Sequence, residues 1–191
     1  MKKKISLLMV LTLATLAVSA ETWVSDRSHS KLGFSISHMV VSHVSGSFKQ
    51  FEVKAVTSKA DYSDVKIDVV AQIPSINTDD DKRDAHLQTE DFFNSKEFPT
   101  LTFKSTSVTH VKGKAYKLKG NLTMHGVTKP VVLDLIFEGK VTNPMNKKVL
   151  AAFTVKGVLK RSAFAIGAKF PAAMLGDDVT LDINAELSPA N

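Results

Sequence analysis

The sequence contains no cysteine, and this absence excludes several kinds of structure and chemistry. Without cysteine the chain can have no disulfide framework, no thiol nucleophile and no thiolate ligand for a metal ion. It also lacks a basic run interleaved with aromatic residues, the pattern typical of nucleic-acid-binding proteins, so we predict no nucleic-acid partner. Packing and backbone hydrogen bonds must therefore hold the fold together.

The first twenty residues have the layout of a secretory signal peptide. Three lysines at 2–4 precede an apolar run at 5–17 that is too short to span a bilayer comfortably, and small residues follow at 18–20. We therefore predict a signal peptide over residues 1–20, cleaved after Ala20, and a periplasmic or otherwise secreted mature protein. An uncleaved anchor is the alternative, but a polar sequence begins directly after Ala20, so we expect no stable membrane span.

The formal net charge of the full sequence is +6, and the predicted signal peptide accounts for half of it. Three of the 25 Lys and Arg residues lie in the signal and none of the 19 Asp and Glu residues do, so the remaining chain carries +3. That chain is long enough to bury a substantial core, and no linker or repeat divides it. We therefore predict one domain over residues 21–191.

Alternation of apolar and polar residues with period 2 dominates the mature sequence. For example, Leu133, Leu135 and Phe137 alternate with Asp134 and Glu138. Similar segments of strand length recur between Gly, Pro, Asn and Asp residues, with almost no helical periodicity. This pattern predicts an all-β antiparallel meander of eight or nine strands, each with one polar and one apolar face. Such a meander can fold as a sandwich or close into a barrel, which removes exposed strand edges.

Two segments interrupt the alternation. In the first, Thr78 is interpreted as an N-cap followed by three aspartates, which predicts a short helix from about residue 79 to 88 and a second turn at 91–93. The second covers residues 161–176, between the last two strands, and carries two phenylalanines and a methionine. We expect the phenylalanines of both segments to close or line the interior.

Several motifs follow one another in a specific order and cover essentially the whole mature chain. They are FSISHM at 34–39, GSF at 46–48, RDAHL at 83–87, DFF at 91–93, FPTLTF at 98–103, GNLTMHGVTKPV at 120–131 and RSAFAIG at 161–167. Together they resemble the YceI-like family of periplasmic lipocalin-like proteins. The resemblance implies an extended eight-stranded antiparallel lipocalin-like β-barrel with a short helix between strands. It also implies a polyisoprenoid or other long-chain lipid in the pore and a homodimer, and it supplies no catalytic residues.

The pore should be lined by the apolar face of each strand and by aromatic residues of the two irregular segments. The residues that we predict to line it are Phe34, Ile36, Phe48, Phe51, Ile67, Val69, Phe92, Phe93, Phe103, Leu118, Leu122, Leu133, Leu135, Phe153, Val155, Phe164, Phe170 and Met174. Gly120 and Gly157 fall in register with these inward positions. They either leave space for a ligand or mark bulges and bends in the strands.

Arg83, Asp84 and His86 are the candidates for binding a ligand headgroup, because a helix that caps a barrel mouth would place them there. The planar guanidinium of Arg83 suits a phosphate, and the alternative is that it only pairs with Asp79 or Asp80. Burial of a forty-carbon chain would give a gross gain of about 30 kcal/mol, above the practical ceiling of about 20 kcal/mol for noncovalent binding. Ordering of the chain must absorb much of that gain.

Metal binding and catalysis are the competing interpretations. The six histidines form no HExxH motif or tight ligand pair, so we favour structural or hydrogen-bonding roles and predict no metal site. Asp26, Ser28 and His29 could be part of a hydrolase, but a GxSxG motif is absent. We therefore predict a non-enzymatic protein that needs no cofactor and carries, stores or senses a polyprenyl or quinone-like lipid. The alternative is a lipid-processing enzyme that acts on an isoprenoid.

Overall fold

The computed structural model describes residues 20–59 and 61–190, so the predicted signal peptide lies outside the described residues except for Ala20. The described residues form strands, short 3₁₀ turns and one short α-helix. In chain order the regular elements are β1 (Glu21–Ser25), β2 (Lys31–His38), β3 (Ser42–Phe48), β4 (Phe51–Thr57), β5 (Lys66–Gln72), β6 (Ile76–Asn77), α1 (Asp81–Leu87), β7 (Thr100–Lys112), β8 (Ala115–Met124), β9 (Val127–Thr142), β10 (Val149–Lys160) and β11 (Leu175–Pro189).

The strands pair antiparallel in the order β1–β4–β5–β7–β8–β9–β10–β11, and β11 pairs back with β1, where Ser25 lies opposite Leu187. This last pairing closes the sheet into a barrel. The other three strands extend its wall: β2 follows β1 along β11, β3 precedes β4, and β6 follows β5. The all-β eight-stranded antiparallel barrel with one short helix is thus confirmed, and the sandwich alternative is excluded.

The two ends of the barrel differ in how they are covered. One end, which we call the hairpin end, carries the start of β1, the β7–β8 hairpin and the β9–β10 hairpin. The other, which we call the capped end, carries the β2–β3 hairpin, the segment 78–99 with α1, and the segment 161–174. Among the described residues no helix combines the length and the apolar character needed to cross a membrane.

Alternation along each strand determines which side chains reach the core. In β8 the side chains of Tyr116, Leu118 and Leu122 are buried, whereas those of Lys117 and Lys119 are exposed. Successive side chains of a strand point to opposite faces of the sheet, so a strand can line the core while its other face meets water. Full burial of one such leucine contributes about 1.5–3 kcal/mol. The predicted pattern therefore accounts for which face of each strand is buried and for much of the stability of the barrel.

The two inward glycines make room for neighbouring side chains. A Cβ atom at Gly120 would lie 2.3 Å from Cζ of Phe103, and one at Gly157 would lie 2.5 Å from Cδ2 of Leu133. The space at both positions is therefore already filled, which corrects the idea that they leave it free for a ligand. The alternative is that the two glycines mark bulges. Of the two, only Gly120 has a bulge beside it, where the register of β7 against β8 shifts between Ser105 and Ser107.

The helix in the first irregular segment starts later than the sequence pattern indicates. Asp80 is its N-cap, and one of its carboxylate oxygens accepts a hydrogen bond from the backbone N–H of Arg83 at 2.9 Å. Thr78, the predicted N-cap, instead donates its hydroxyl hydrogen to Asp84 at 2.6 Å. The backbone of Asp79 is left-handed, with φ of 61°, and Asp80 is extended again, so the chain turns at Asp79 before the helix begins.

Candidate functional site

The barrel encloses a cavity of about 460 Å³. Its wall is formed almost entirely by aliphatic and aromatic side chains from the strands and from both capping segments. Pockets for small organic ligands usually measure about 300–1,000 Å³ and are mostly apolar, so both the size and the lining suit a ligand. Among the described residues only a few polar side chains border this cavity, and all of them lie at the capped end.

All but two of the residues predicted to line the pore lie on the cavity wall. Those on the wall are Phe34, Ile36, Phe48, Ile67, Val69, Phe92, Phe93, Phe103, Leu118, Leu122, Leu133, Leu135, Phe153, Val155, Phe170 and Met174. Phe51 and Phe164 are buried but do not border the cavity. Phe164 lies in a 3₁₀ turn after β10, where its backbone carbonyl accepts a hydrogen bond from Nδ1 of His125 at 3.0 Å.

The wall also contains residues that were not predicted as pore-lining. These are mainly further members of the same alternating faces, among them Val53, Ala55, Leu101, Leu159, Leu181, Ile183, Ala185 and Leu187. Period-2 alternation would have identified each of them. Those on β4, β7 and β10 lie an even number of positions from a predicted neighbour on the same strand, and the four residues of β11 alternate with the polar residues at 182, 184 and 186. The inward faces of neighbouring strands therefore form one continuous cavity wall.

An aromatic cluster fills the barrel towards the hairpin end. The ring of Tyr62 lies 5.8 Å from that of Trp23, 4.8 Å from that of Phe137 and 5.4 Å from that of Phe153. Only Phe153 of these four borders the cavity. Burial raises the pKa of the Tyr62 phenol. This aromatic cluster, which we call the floor, closes the cavity at the hairpin end, so the opening is expected at the capped end.

At the capped end, stacked rings join the two irregular segments. Phe92 of the first segment stacks on Phe170 of the second with 5.0 Å between ring centroids. The imidazole of His86 packs edge-on against both rings, at 5.1 Å and 6.0 Å. Phe93 packs edge-on against Phe48 of the wall at 6.1 Å. The prediction that phenylalanines of both segments meet at the pore thus describes three of the four, with Phe164 the exception.

Asp91 adds a polar connection beside these rings. Its carboxylate contacts Nζ of Lys169 at 2.5 Å and Nε2 of His86 at 3.1 Å. Its backbone carbonyl accepts a hydrogen bond from the N–H of Gly167 at 3.0 Å. The hydrogen bonds from Lys169 and then His86 lower the pKa of Asp91 below the ordinary value of 3.8. The first capping segment is therefore tied to the second by both charge and stacking.

The lowered pKa of Asp91 predicts how this connection depends on pH. A carboxylate with a lowered pKa in the folded state adds stability above its ordinary pKa, and that contribution is lost as the pH falls through the lowered value. We expect Asp91→Asn to cause only a small reduction in the free energy of unfolding near neutral pH, because the ion pair is at the surface and solvent screens it. The difference should shrink towards zero well below pH 3.8. Urea unfolding at both pH values measures it, and a difference independent of pH would contradict this assignment.

The headgroup candidates differ in what they can offer a ligand. Arg83 and His86 border the cavity, whereas Asp84 does not and instead accepts hydrogen bonds from the backbone N–H and the hydroxyl of Thr78 at 2.9 Å and 2.6 Å. Arg83 donates from Nε and Nη2 to the hydroxyl and carbonyl of Thr78, both at 2.7 Å. Its Nη1 lies 3.9 Å from the Asp80 carboxylate, so the predicted pairing is with Asp80 and not with Asp79.

Arg161 is a buried residue of the cavity wall that the sequence analysis missed. Its side chain donates to backbone carbonyl oxygens alone, at 2.6–3.0 Å, and the acceptors are Ile166, Gly167, Phe170, Leu175 and Gly176. A guanidinium has five N–H donors, so all of them are satisfied. Arg161 therefore shapes the second capping segment. Its position two residues after inward-facing Leu159 was the signal that it points inward.

The opening of the cavity can be located from the most exposed of the residues that border it. Three of them are exposed and not merely half-buried: His38 at the end of β2, His86 on α1, and Met174 just before β11. They come from the three structures that surround the capped end. We call this opening the mouth.

The other sites considered from the sequence lie on the outer surface. Asp26 and His29 contact each other at 3.0 Å, and Ser28 contributes its backbone N–H to Asp26, so the three do not form a hydrolytic triad. This contact raises the pKa of His29 and lowers that of Asp26. Within residues 20–59 and 61–190, no group of three or more His, Asp and Glu side chains is arranged to hold a metal ion.

Comparison with known proteins gives a consistent result. The sequence matches the YceI-like domain over residues 23–187. The UPF0312 protein SAB2563 of Staphylococcus aureus (strain bovine RF122 / ET3-1) is 37% identical over 167 residues, which cover 85% of this chain and 95% of the relative. The match thus extends over nearly the whole barrel.

Solved structures share the architecture. The YCEI protein of Campylobacter jejuni superposes with a TM-score of 0.73 and is 32% identical, covering 79% of this chain and 88% of its own. A polyisoprenoid binding domain from Saccharophagus degradans superposes with a TM-score of 0.65 at 13% identity, covering 90% of this chain and 100% of its own. At that identity the second likeness concerns the fold alone.

Proposed function

This chain belongs to the YceI-like domain family, and from that membership and its apolar cavity we propose that it binds one long-chain lipid, a polyisoprenoid or quinone-like molecule, inside the barrel. The observation that carries the proposal is the cavity of about 460 Å³ with its nearly uninterrupted apolar wall. A polyisoprenoid ligand is named for the Saccharophagus degradans domain of the same fold, which supports the ligand class.

The distribution of polar groups supports an orientation for the ligand. The floor near Tyr62 and Phe153 is aromatic, whereas Arg83 and His86 lie near the mouth. An apolar chain would therefore extend towards the floor, and its polar end would stay at the mouth, where partial hydration lowers the cost of burying it. A chain longer than the cavity would leave its end in the mouth.

Binding is favoured over catalysis by the lining of the cavity. A lipid-processing enzyme needs a nucleophile or an acid–base pair within reach of the substrate. The polar side chains that border this cavity are His38, Thr78, Arg83, His86 and Arg161, and no carboxylate is among them. Arg161 has no donor left, and His86 contacts the carboxylate of Asp91, a residue that does not border the cavity. The other polar groups can hold a headgroup, and carriage, storage or sensing of an intact lipid is the function that fits them.

Mass spectrometry of an organic extract of the purified protein tests the proposal. We expect an intact isoprenoid or quinone-like lipid at close to one molecule per cavity. Shortened or modified products that accumulate with added lipid would instead identify a processing enzyme. An extract without any long-chain lipid, from protein purified without detergent, would contradict lipid binding.

We also propose that the protein is exported and that its mature form starts at Glu21. The support is the sequence of residues 1–20, whose lysines, apolar run and small residues follow the order that signal peptidase recognises. Intact-mass measurement on protein from the periplasmic or secreted fraction should therefore give a chain that lacks the first twenty residues. A mature protein that still carries them would show that the segment is an anchor.

The homodimer remains a prediction, for which light scattering is the direct test.

A further inference from the structure

An exposed apolar patch surrounds part of the mouth. It consists of residues 39–41, at the tip of the β2–β3 hairpin, and residues 171–174, just before β11; we call it the rim patch. The exposed fractions are 52% for Met39, 74% for Val40, 88% for Val41 and 48% for Met174. The backbone N–H of Met39 donates to the carbonyl of Met174 at 2.9 Å, so the two stretches form one surface.

The tip of the β2–β3 hairpin carries apolar residues at positions where a tight turn usually has Asn, Asp or Gly. The backbones of Met39 and Val40 are left-handed, with φ of 52° and 65°. Asn, Asp and Gly tolerate this conformation, whereas a β-branched residue such as valine rarely adopts it. Strained backbone positions of this kind concentrate at binding and switching sites. These apolar residues are exposed to water and strain the backbone, so they do not stabilise the fold. Their presence at the tip therefore indicates a role in binding.

Formal charges are absent from both stretches of the rim patch. The sequence has no Asp, Glu, Lys or Arg between Lys31 and Lys49, nor between Lys169 and Asp177. Insertion of this surface into the boundary of a bilayer would therefore not desolvate a formal charge. Apolar side chains at the headgroup–acyl boundary stabilise attachment in proportion to the area they bury.

The rim patch is continuous with the cavity. Met174 belongs to both, and His38, which precedes the hairpin tip, also borders the cavity. A long-chain lipid is practically insoluble in water, so its transfer requires that its source and the cavity be in contact. We infer that the rim patch docks on the surface of a lipid bilayer and that the ligand passes from the bilayer through the mouth into the barrel. This inference rests on the proposed function.

Flotation with phosphatidylcholine vesicles tests the docking surface. The variant replaces Met39, Val40 and Val41 with serine, and it should lower vesicle association about tenfold, as expected when three apolar side chains no longer insert. The matched control replaces Val111, Val141 and Met145 with serine, since these are equally exposed but belong to the hairpin end. The control should associate like the wild type, and melting temperatures verify that both variants are folded.

A soluble fluorescent farnesyl probe separates docking from lipid binding. The rim variant should bind this probe like the wild type but extract a labelled isoprenoid from vesicles about tenfold more slowly. Equal vesicle association of the rim variant and the wild type would overturn the inference. The inference would also be overturned if the rim variant became monomeric while its vesicle association stayed unchanged, because a second copy of the chain would then be the occupant of the patch. Failure of the wild type to bind the probe, with vesicle association intact, would contradict the proposed function alone.

Discussion

Leu135→Arg should destabilise the barrel by several kcal/mol and abolish lipid retention. Leu135 is 2% exposed and borders the cavity, between Tyr116 of β8 and Val155 of β10. An arginine there would place an unpaired charge among apolar side chains, at a cost of several kcal/mol. Urea unfolding and mass spectrometry of an organic extract measure the two effects.

Val132→Arg is the matched control on the same strand. Val132 is 55% exposed on the outer face, so an arginine there should change the free energy of unfolding by no more than about 0.5 kcal/mol and leave lipid retention unchanged. Asp134 is less suitable, because it pairs with Lys117 and also has Lys156 beside it, whereas Val132 has one lysine opposite it, Lys119. Equal effects of Leu135→Arg and Val132→Arg would mean that the register is wrong. A destabilised Leu135→Arg protein that retains lipid would place Leu135 away from the ligand.

Arg161→Met should have the second large effect, about 3–5 kcal/mol of lost stability. The substitution keeps an apolar stem but removes all five donors, so five carbonyl oxygens of residues 166–176 each lose a hydrogen bond. We expect the second capping segment to lose its shape, and Phe170 to lose its stack on Phe92. Urea unfolding and hydrogen exchange of residues 161–176 are the measurements.

Two further variants separate hydrogen bonding from charge at this position. Lys160→Met removes a neighbouring exposed charge, which pairs with Asp178, and should leave stability nearly unchanged, because exposed ion pairs contribute little. Arg161→Lys keeps the charge but offers only three donors, so it should fall between the wild type and Arg161→Met. If Arg161→Lys were as stable as the wild type, charge and not the set of hydrogen bonds would hold the segment.

Much of the wall could be predicted because alternation is a local property. The burial of Leu118, Leu133 and Leu135 follows from the sequence of each strand alone. Closure of the sheet is a long-range property, and the contact between Ser25 and Leu187 has no local signal. The barrel was therefore separated from the sandwich by the resemblance of motifs.

The remaining differences have identifiable physical causes. Alternation predicts the side of a strand, but it does not tell whether an inward side chain reaches the cavity or packs within the wall, as Phe51 does. It also does not show that a neighbour fills an inward glycine, as Phe103 does at Gly120. In the capping segments, contacts between distant residues such as Asp91 and Lys169 determine the geometry, so they are visible only in the structure.

Native mass spectrometry of two neighbouring valine variants tests the central claim most directly. Val69 borders the cavity, whereas Val70, the next residue of β5, is 41% exposed on the outer face. Val69→Trp should project a bulky indole into the cavity and displace the bound lipid, while Val70→Trp should retain one lipid per chain like the wild type. Loss of the lipid from Val69→Trp alone, with both proteins folded, is the result expected for a ligand inside the barrel. Retention of the lipid by a folded Val69→Trp protein would contradict it.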